Sequence, residues 1–291
     1  MREADEATRT HRHTVVIEPN RGWFDVPWRE IREYSDLIWL FVRRDWTARF
    51  KQTVLGPLWM LITPVIGTLV QTVFLGKVMK APTDGLPQYL FYLCGGLGWG
   101  YFASCMSGTS GVLVGNASLF GKVYFPRLII PFYTVMGNLI NYGIQFATFA
   151  AFWIFFKFFT SAGPLIHLRP SALLLPLLLV QSAALGLGIG LWSSAITVKY
   201  RDLRHVVSFL QGIWMWATPI LYPLSQVPEK WRWLSLINPM TNTLEFFRYS
   251  LLGTGTVSPL MFILSSVITL IVLASGIAIF NRTERTFIDT V

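Results

Sequence analysis

Apolar residues run along this chain in long unbroken stretches, and the charged residues gather in short groups between them. Six stretches hold no Asp, Glu, Lys or Arg: between Lys51 and Lys77, Asp84 and Lys122, Arg127 and Lys157, Arg169 and Lys199, Arg204 and Glu229, and Arg248 and Arg282. Each is long enough for the roughly 20 apolar residues with which a helix crosses a bilayer. Strict alternation is missing, and backbone groups in lipid must be satisfied within their own segment, so helices are predicted rather than a barrel. The expected architecture is an all-α integral membrane protein with six transmembrane helices over residues 52–281.

Two segments depart from this pattern. Over residues 28–51, Trp28, Ile31, Leu37, Ile38, Phe41 and Val42 recur near helical spacing, with Arg29, Arg32, Glu33, Asp36, Arg43 and Arg44 elsewhere on the wheel. That predicts an amphipathic helix lying on the inner membrane surface. The run YPLSQVPEKWRWLSLINPMTNTLEFFRYSLLG, ending at Gly253, is aromatic-rich but broken by Pro223, Pro228 and Pro239. It is too interrupted to span and too apolar for a plain loop, so short helices dipping into the outer leaflet are expected, where protein buries the freed backbone.

Composition agrees. Of 291 residues 53% are hydrophobic and only 13% charged, against roughly 25% charged in soluble domains. This excludes an ordinary soluble globule and a disordered chain. A net charge of +9 would suit nucleic acid, but the placement of the charges points elsewhere. Ten Lys and Arg precede the first stretch, and Lys122, Arg127, Lys199, Arg201, Arg204, Arg282 and Arg285 join them on the inner side of a six-span chain. Lys77, Lys80, Lys157, Arg169, Lys230, Arg232 and Arg248 fall outside. The bias predicts cytoplasmic N- and C-termini and no nucleic-acid partner. Residues 1–27 are polar, and the first twenty contain no apolar core of a signal peptide. They are expected in the cytoplasm, as is the tail 282–291.

Catalytic machinery is hard to find. The closest approaches to a phosphate loop, at Gly121–Lys122 and Gly76–Lys77, lack its first glycine (Asn116, Gln71) and its hydroxyl (Val123, Val78). No ionisable residue lies in mid-span, where transporters and proton relays keep theirs. Gln71, Asn138, Asn141, Gln145, Gln181 and Gln211 read as interhelical hydrogen bonders. His11, His13, His167 and His205 are scattered, and Cys94 and Cys105 read as packing residues with no metal-like spacing. Gly96, Gly100, Ser104 and Gly108 form a ridge of small residues at four-residue spacing, suited to close helix packing within one chain or between subunits. Aromatics are the one surplus. Trp59, Trp214, Trp216 and Tyr222 can offer faces to sugar rings, or serve as an interfacial girdle and packing.

The runs RRDWTARFKQTVLGPLWMLITP (43–64), VGNASLFGKVYFPRLIIP (114–131), KYRDLRHVVSFLQGIWMWATPILYP (199–223) and VPEKWRWLSLINPM (227–240), in this order, resemble the permease subunit of ABC exporters for polysaccharides and polyol phosphates, a family including O-antigen, teichoic acid and capsule exporters. The resemblance covers nearly the whole chain after Thr14. It implies a homodimeric permease of the bacterial inner membrane served by two copies of a separate ATPase subunit. ATP and magnesium would be held there, with no cofactor, metal or catalytic site in this chain. It also implies that the amphipathic helix 28–51, with Arg43, Arg44 and Asp45, and a coupling helix 116–124, with Asn116, Leu119, Phe120, Lys122 and Tyr124, dock on the ATPase. By the same likeness, residues 226–252 become re-entrant gate helices with Trp231, Trp233, Asn238 and Pro239. The first and fifth spans line a path bearing Trp59, Trp214, Trp216 and Tyr222. Tyr200, Arg201 and Asp202 match a motif at the inner end of the fifth span. Arg201 and Arg204 stand at the inner mouth, either to attract the diphosphate of a lipid-linked glycan or as positive-inside anchors. Two other classes stay open on the residues alone: a secondary transporter, and a membrane-embedded lipid-linked sugar transferase, for which Asp202 and Glu245 are the candidate acids.

Overall fold

The computed structural model describes Gly22 and residues 28–116, 125–200 and 202–287. Among these the chain is helical and contains no strand. The helices are α1 (Trp28–Glu33), α2 (Ser35–Phe50), α3 (Leu58–Gln71), α4 (Gln88–Thr109), the single turn α5 (Val112–Gly115), α6 (Ile129–Phe159), α7 (Leu175–Lys199), α8 (Leu203–Ala217), α9 (Glu229–Ile237), α10 (Pro239–Leu252) and α11 (Pro259–Phe287). α3 runs on into a wider π-helix at Thr72–Val78.

Four segments are long and apolar enough to cross a membrane: Gly56–Val78, Ile129–Phe159, Pro170–Lys199 and Pro259–Glu284. They occupy the first, third, fourth and sixth uncharged stretches. The second stretch folds as α4, whose 22 residues reach about 33 Å at 1.5 Å each. Its many Gly, Tyr and Trp residues lower its mean hydropathy, and most of it is buried inside the bundle. The fifth stretch stops early. α8 has 15 residues, about 22 Å, shorter than the roughly 30 Å hydrocarbon layer. It ends because Thr218, which precedes Pro219, takes extended backbone, as a residue before proline prefers.

α4 is the centre of the bundle, with α3, α6, α7 and α10 packed on it, and α11 lies along α7. The run LGLGIG in α7 makes this possible. A Cβ on Gly186 would lie 2.9 Å from the Phe102 carbonyl of α4, and one on Gly188 2.9 Å from the Leu273 backbone of α11. Small residues thus let α7 touch one neighbour with each side, the means by which membrane helices gain contact without a hydrophobic driving force. The ridge predicted on α4 behaves differently. Gly108 meets Thr134 of α6, but Gly96 has nothing within 4 Å of a Cβ. That part of the ridge faces open space.

The amphipathic segment folds as α1 and α2, broken at Tyr34. Phe41 and Val42 pack with Val112, Phe125, Ile129, Ile130 and Tyr133 into a small core of their own, supported by Ile31, Leu37 and Ile38. The predicted apolar face therefore meets α6, while Trp39 and Leu40 remain exposed on the other side.

Candidate transport path and gate

The segment after α8 is built by local chemistry at both ends of α10. Asn238 caps it: its side chain accepts from Met240 N at 3.1 Å, and Pro239 fills the first helical position, where a missing N–H costs nothing. At the other end Gly253 takes φ +87°, and its N–H returns to the Arg248 and Tyr249 carbonyls, a left-handed cap that glycine adopts without strain. Thirteen of the fourteen α10 residues are buried. α9 is the reverse, with Trp231, Trp233, Leu234 and Ile237 exposed.

Inside α10 lies a pair that the sequence reading passed over. Arg248 and Glu245 are 1% and 2% exposed and meet at 3.2 Å. Arg248 Nη1 also donates to the Pro219 carbonyl at 2.6 Å and reaches that of Tyr222 at 3.5 Å, and Nη2 donates to the Ile220 carbonyl. The guanidinium stands 3.9 Å from the centroid of the Phe91 ring on α4. The other Glu245 oxygen accepts from Thr256 N at 2.8 Å. In the sequence Arg248 reads as punctuation between two spans. The available signal was the Glu-x-x-Arg spacing in an otherwise apolar helix.

Of the aromatics expected to line a path, Trp216 is 62% exposed, and its carbonyl accepts from the Tyr222 hydroxyl at 3.1 Å. Trp214 turns inward, edge-on to Phe102 at 5.0 Å and Trp99 at 6.1 Å on α4. Trp59, half-exposed on α3, lines a cavity of about 550 Å³ between α3, α4 and α6. Gly96, Gly100 and Ser104 face this cavity with Thr63, Thr68 and Gln71 of α3 and Asn141 and Gln145 of α6; Arg49 is at its edge. Among the described residues no acidic side chain lines it. Among the described residues, α3 with its π-helical continuation and α8 each leave an exposed apolar face: Ile66, Leu69, Val70, Val73 and Phe74 on one, Val206, Phe209, Leu210, Ile213 and Trp216 on the other.

Of the residues expected to face the ATPase, Arg43, Arg44, Asp45 and Asn116 lie among the described ones. Arg43, Arg44 and Asp45 are exposed on α2, with Arg44 Nε donating to Asp45 at 2.9 Å. Asp45, Asn116 and Arg204 line one notch of about 320 Å³ with Gly108, Gly111, Tyr133 and Thr134. Three separated parts of the sequence are thereby brought to one place. Leu119, Phe120, Lys122, Tyr124 and Arg201 lie outside the described residues.

A bundle of long apolar helices around a mostly buried α4, with short helices, one exposed and one buried, after α8 and an amphipathic helix on its flank, defines a multi-pass helical membrane protein. Residues 36–252 match the ABC-2 type transporter family, and the chain belongs to it. Similar proteins include an O-antigen export system permease, RfbA of Myxococcus xanthus, 29% identical over 76% of this chain and 82% of that one. A Klebsiella pneumoniae protein of the same name is 27% identical over 87% of this chain and 94% of its own. The polysialic acid transport protein KpsM of Escherichia coli is 22% identical over 85% and 93%. Family membership makes this a transport subunit rather than a catalytic one.

Proposed function

We propose that this chain is the membrane-spanning subunit of an ATP-driven exporter that carries a lipid-linked polysaccharide from the cytoplasmic to the outer side of the bacterial inner membrane. Its likeness to O-antigen export permeases along nearly their whole length is the observation that carries this reading. In it α4 is a further span, α8 together with the proline-broken turn after it makes the sixth, both termini are cytoplasmic, and α9 and α10 close the outer end. Two copies meet through the exposed apolar faces of α3 and α8, so that Trp59, Trp216 and Tyr222 border a shared path. Two ATPase subunits dock beneath, against α2 and the notch that holds Asp45, Asn116 and Arg204. ATP binding draws the ATPases together, and the differential contacts made there switch the spans between two packings.

The test is reconstitution. The chain with its ATPase subunit, in proteoliposomes loaded with lipid-linked glycan, is expected to move glycan across the membrane only with ATP. Transport by this chain alone under an ion gradient would instead establish a secondary transporter.

A further inference from the structure

Arg248 joins three parts of the chain at one point. It donates to carbonyls of the turn that ends α8, pairs with Glu245 on α10 and lies on the Phe91 ring of α4. The seat on α4 is shaped for it. A Cβ on Gly95 would lie 2.7 Å from the Ile220 carbonyl and 3.0 Å from Arg248 Nη2, so a larger residue would push the turn and the guanidinium off the helix.

Stability alone does not account for the pair. Well-packed apolar side chains of similar volume are often as stabilising as a buried ion pair, or more so. A branched cation does something they do not: it draws several backbone carbonyls of one segment to a single point on another. Those carbonyls belong to a turn that Pro219 and Pro223 have freed from helical bonding, and freed groups in a membrane bundle require partners from the protein. The same turn carries Tyr222, whose hydroxyl holds the end of α8 at Trp216.

We propose that Arg248, steadied by Glu245, is a positioning residue for export: it locks the turn ending path helix α8 to gate helix α10, so that the two move as one body. This rests on the reading of the chain as an exporter permease.

The test uses the full complex with its ATPase in proteoliposomes. Leu221, in the clamped turn, is buried at 6% exposure, and Cys94 and Cys105 are fully buried. In a Leu221→Cys chain, adding Arg248→Met is expected to speed labelling by a membrane-impermeant maleimide at least tenfold while Cys105 stays protected. Export should fall at least tenfold with ATP hydrolysis within twofold. Arg248→Lys, which keeps the charge but donates from one nitrogen, should recover part of both. Where Cys105 also labels, the chain has opened globally and Arg248→Lys carries the same comparison against wild type. Unchanged labelling overturns the proposal, and so does fast labelling with wild-type export. A wild-type complex that hydrolyses ATP without moving glycan defeats the export reading itself, and the positioning role with it, whatever the labelling.

Discussion

Asn238 Nδ2 donates to Thr218 Oγ1 at 2.9 Å, joining the cap of α10 to the residue where α8 ends. Asn238 thus serves two helices with one amide. Replacing it with Ala removes the cap, worth about 1 kcal/mol, and leaves the buried Thr218 hydroxyl without this donor. The purified chain should lose roughly 2–4 °C of apparent Tm per kcal/mol. Asn238→Asp keeps the cap acceptor but not the donor to Thr218, and should fall between the two in a thermal unfolding series in detergent.

The glycines of α4 and α7 should respond in opposite ways. A Cβ on Gly188 meets the α11 backbone at 2.9 Å, while one on Gly96 meets nothing within 4 Å. Gly188→Val should separate α7 from α11 at a cost of about 1–3 kcal/mol, typical of overpacking, seen as lower Tm and reduced yield in the membrane. Gly96→Ala should leave both unchanged.

The exposed apolar faces predict where a second copy sits. Phe209 on α8 and Leu270 on α11 are similarly exposed, at 67% and 62%. Only the first belongs to the proposed dimer face. Under oxidation Phe209→Cys should give a disulfide-linked dimer on a non-reducing gel and Leu270→Cys should stay monomeric, with native Cys94 and Cys105 buried and silent.

Coupling to the ATPase is tested at the notch. Asp45 lines it beside Asn116 and Arg204, so Asp45→Lys adds positive charge where the partner is expected to dock. Co-purification of the ATPase should drop several-fold with membrane insertion unchanged. Phe120→Ala should leave the complex assembled and hydrolysing ATP but abolish export, measured as surface glycan per ATP consumed.

Much of this fold was legible because apolar length and charge placement dominate in a membrane chain. The four apolar spans and the proline-broken segment before α11 follow from it. The amphipathic spacing over 28–51 predicts a helix on the membrane surface, whereas Phe41 and Val42 pack against α6, because spacing marks an apolar face and not what covers it. What periodicity conceals is depth. α4 and α8 carry uncharged stretches like the others, yet one is buried too fully to look like a lipid-facing span and the other is cut short at Thr218 by Pro219. The ridge at Gly96 and Gly100 has the spacing of a packing motif and lines a cavity, because spacing does not say whether a neighbour arrives. Trp214 and Trp216 are two residues apart in the sequence and face different surroundings, set by the roll of α8 on α4. Arg248 was least visible: its partners are mostly backbone carbonyls, and carbonyls have no signature in the sequence.

Export is tested most directly by depleting the protein in its own host and measuring lipid-linked glycan separately in the cytoplasmic leaflet and at the cell surface. The prediction is accumulation inside with loss outside, and the trapped polymer would identify the substrate. Unchanged pools on both sides, in a host with no second exporter, would contradict it.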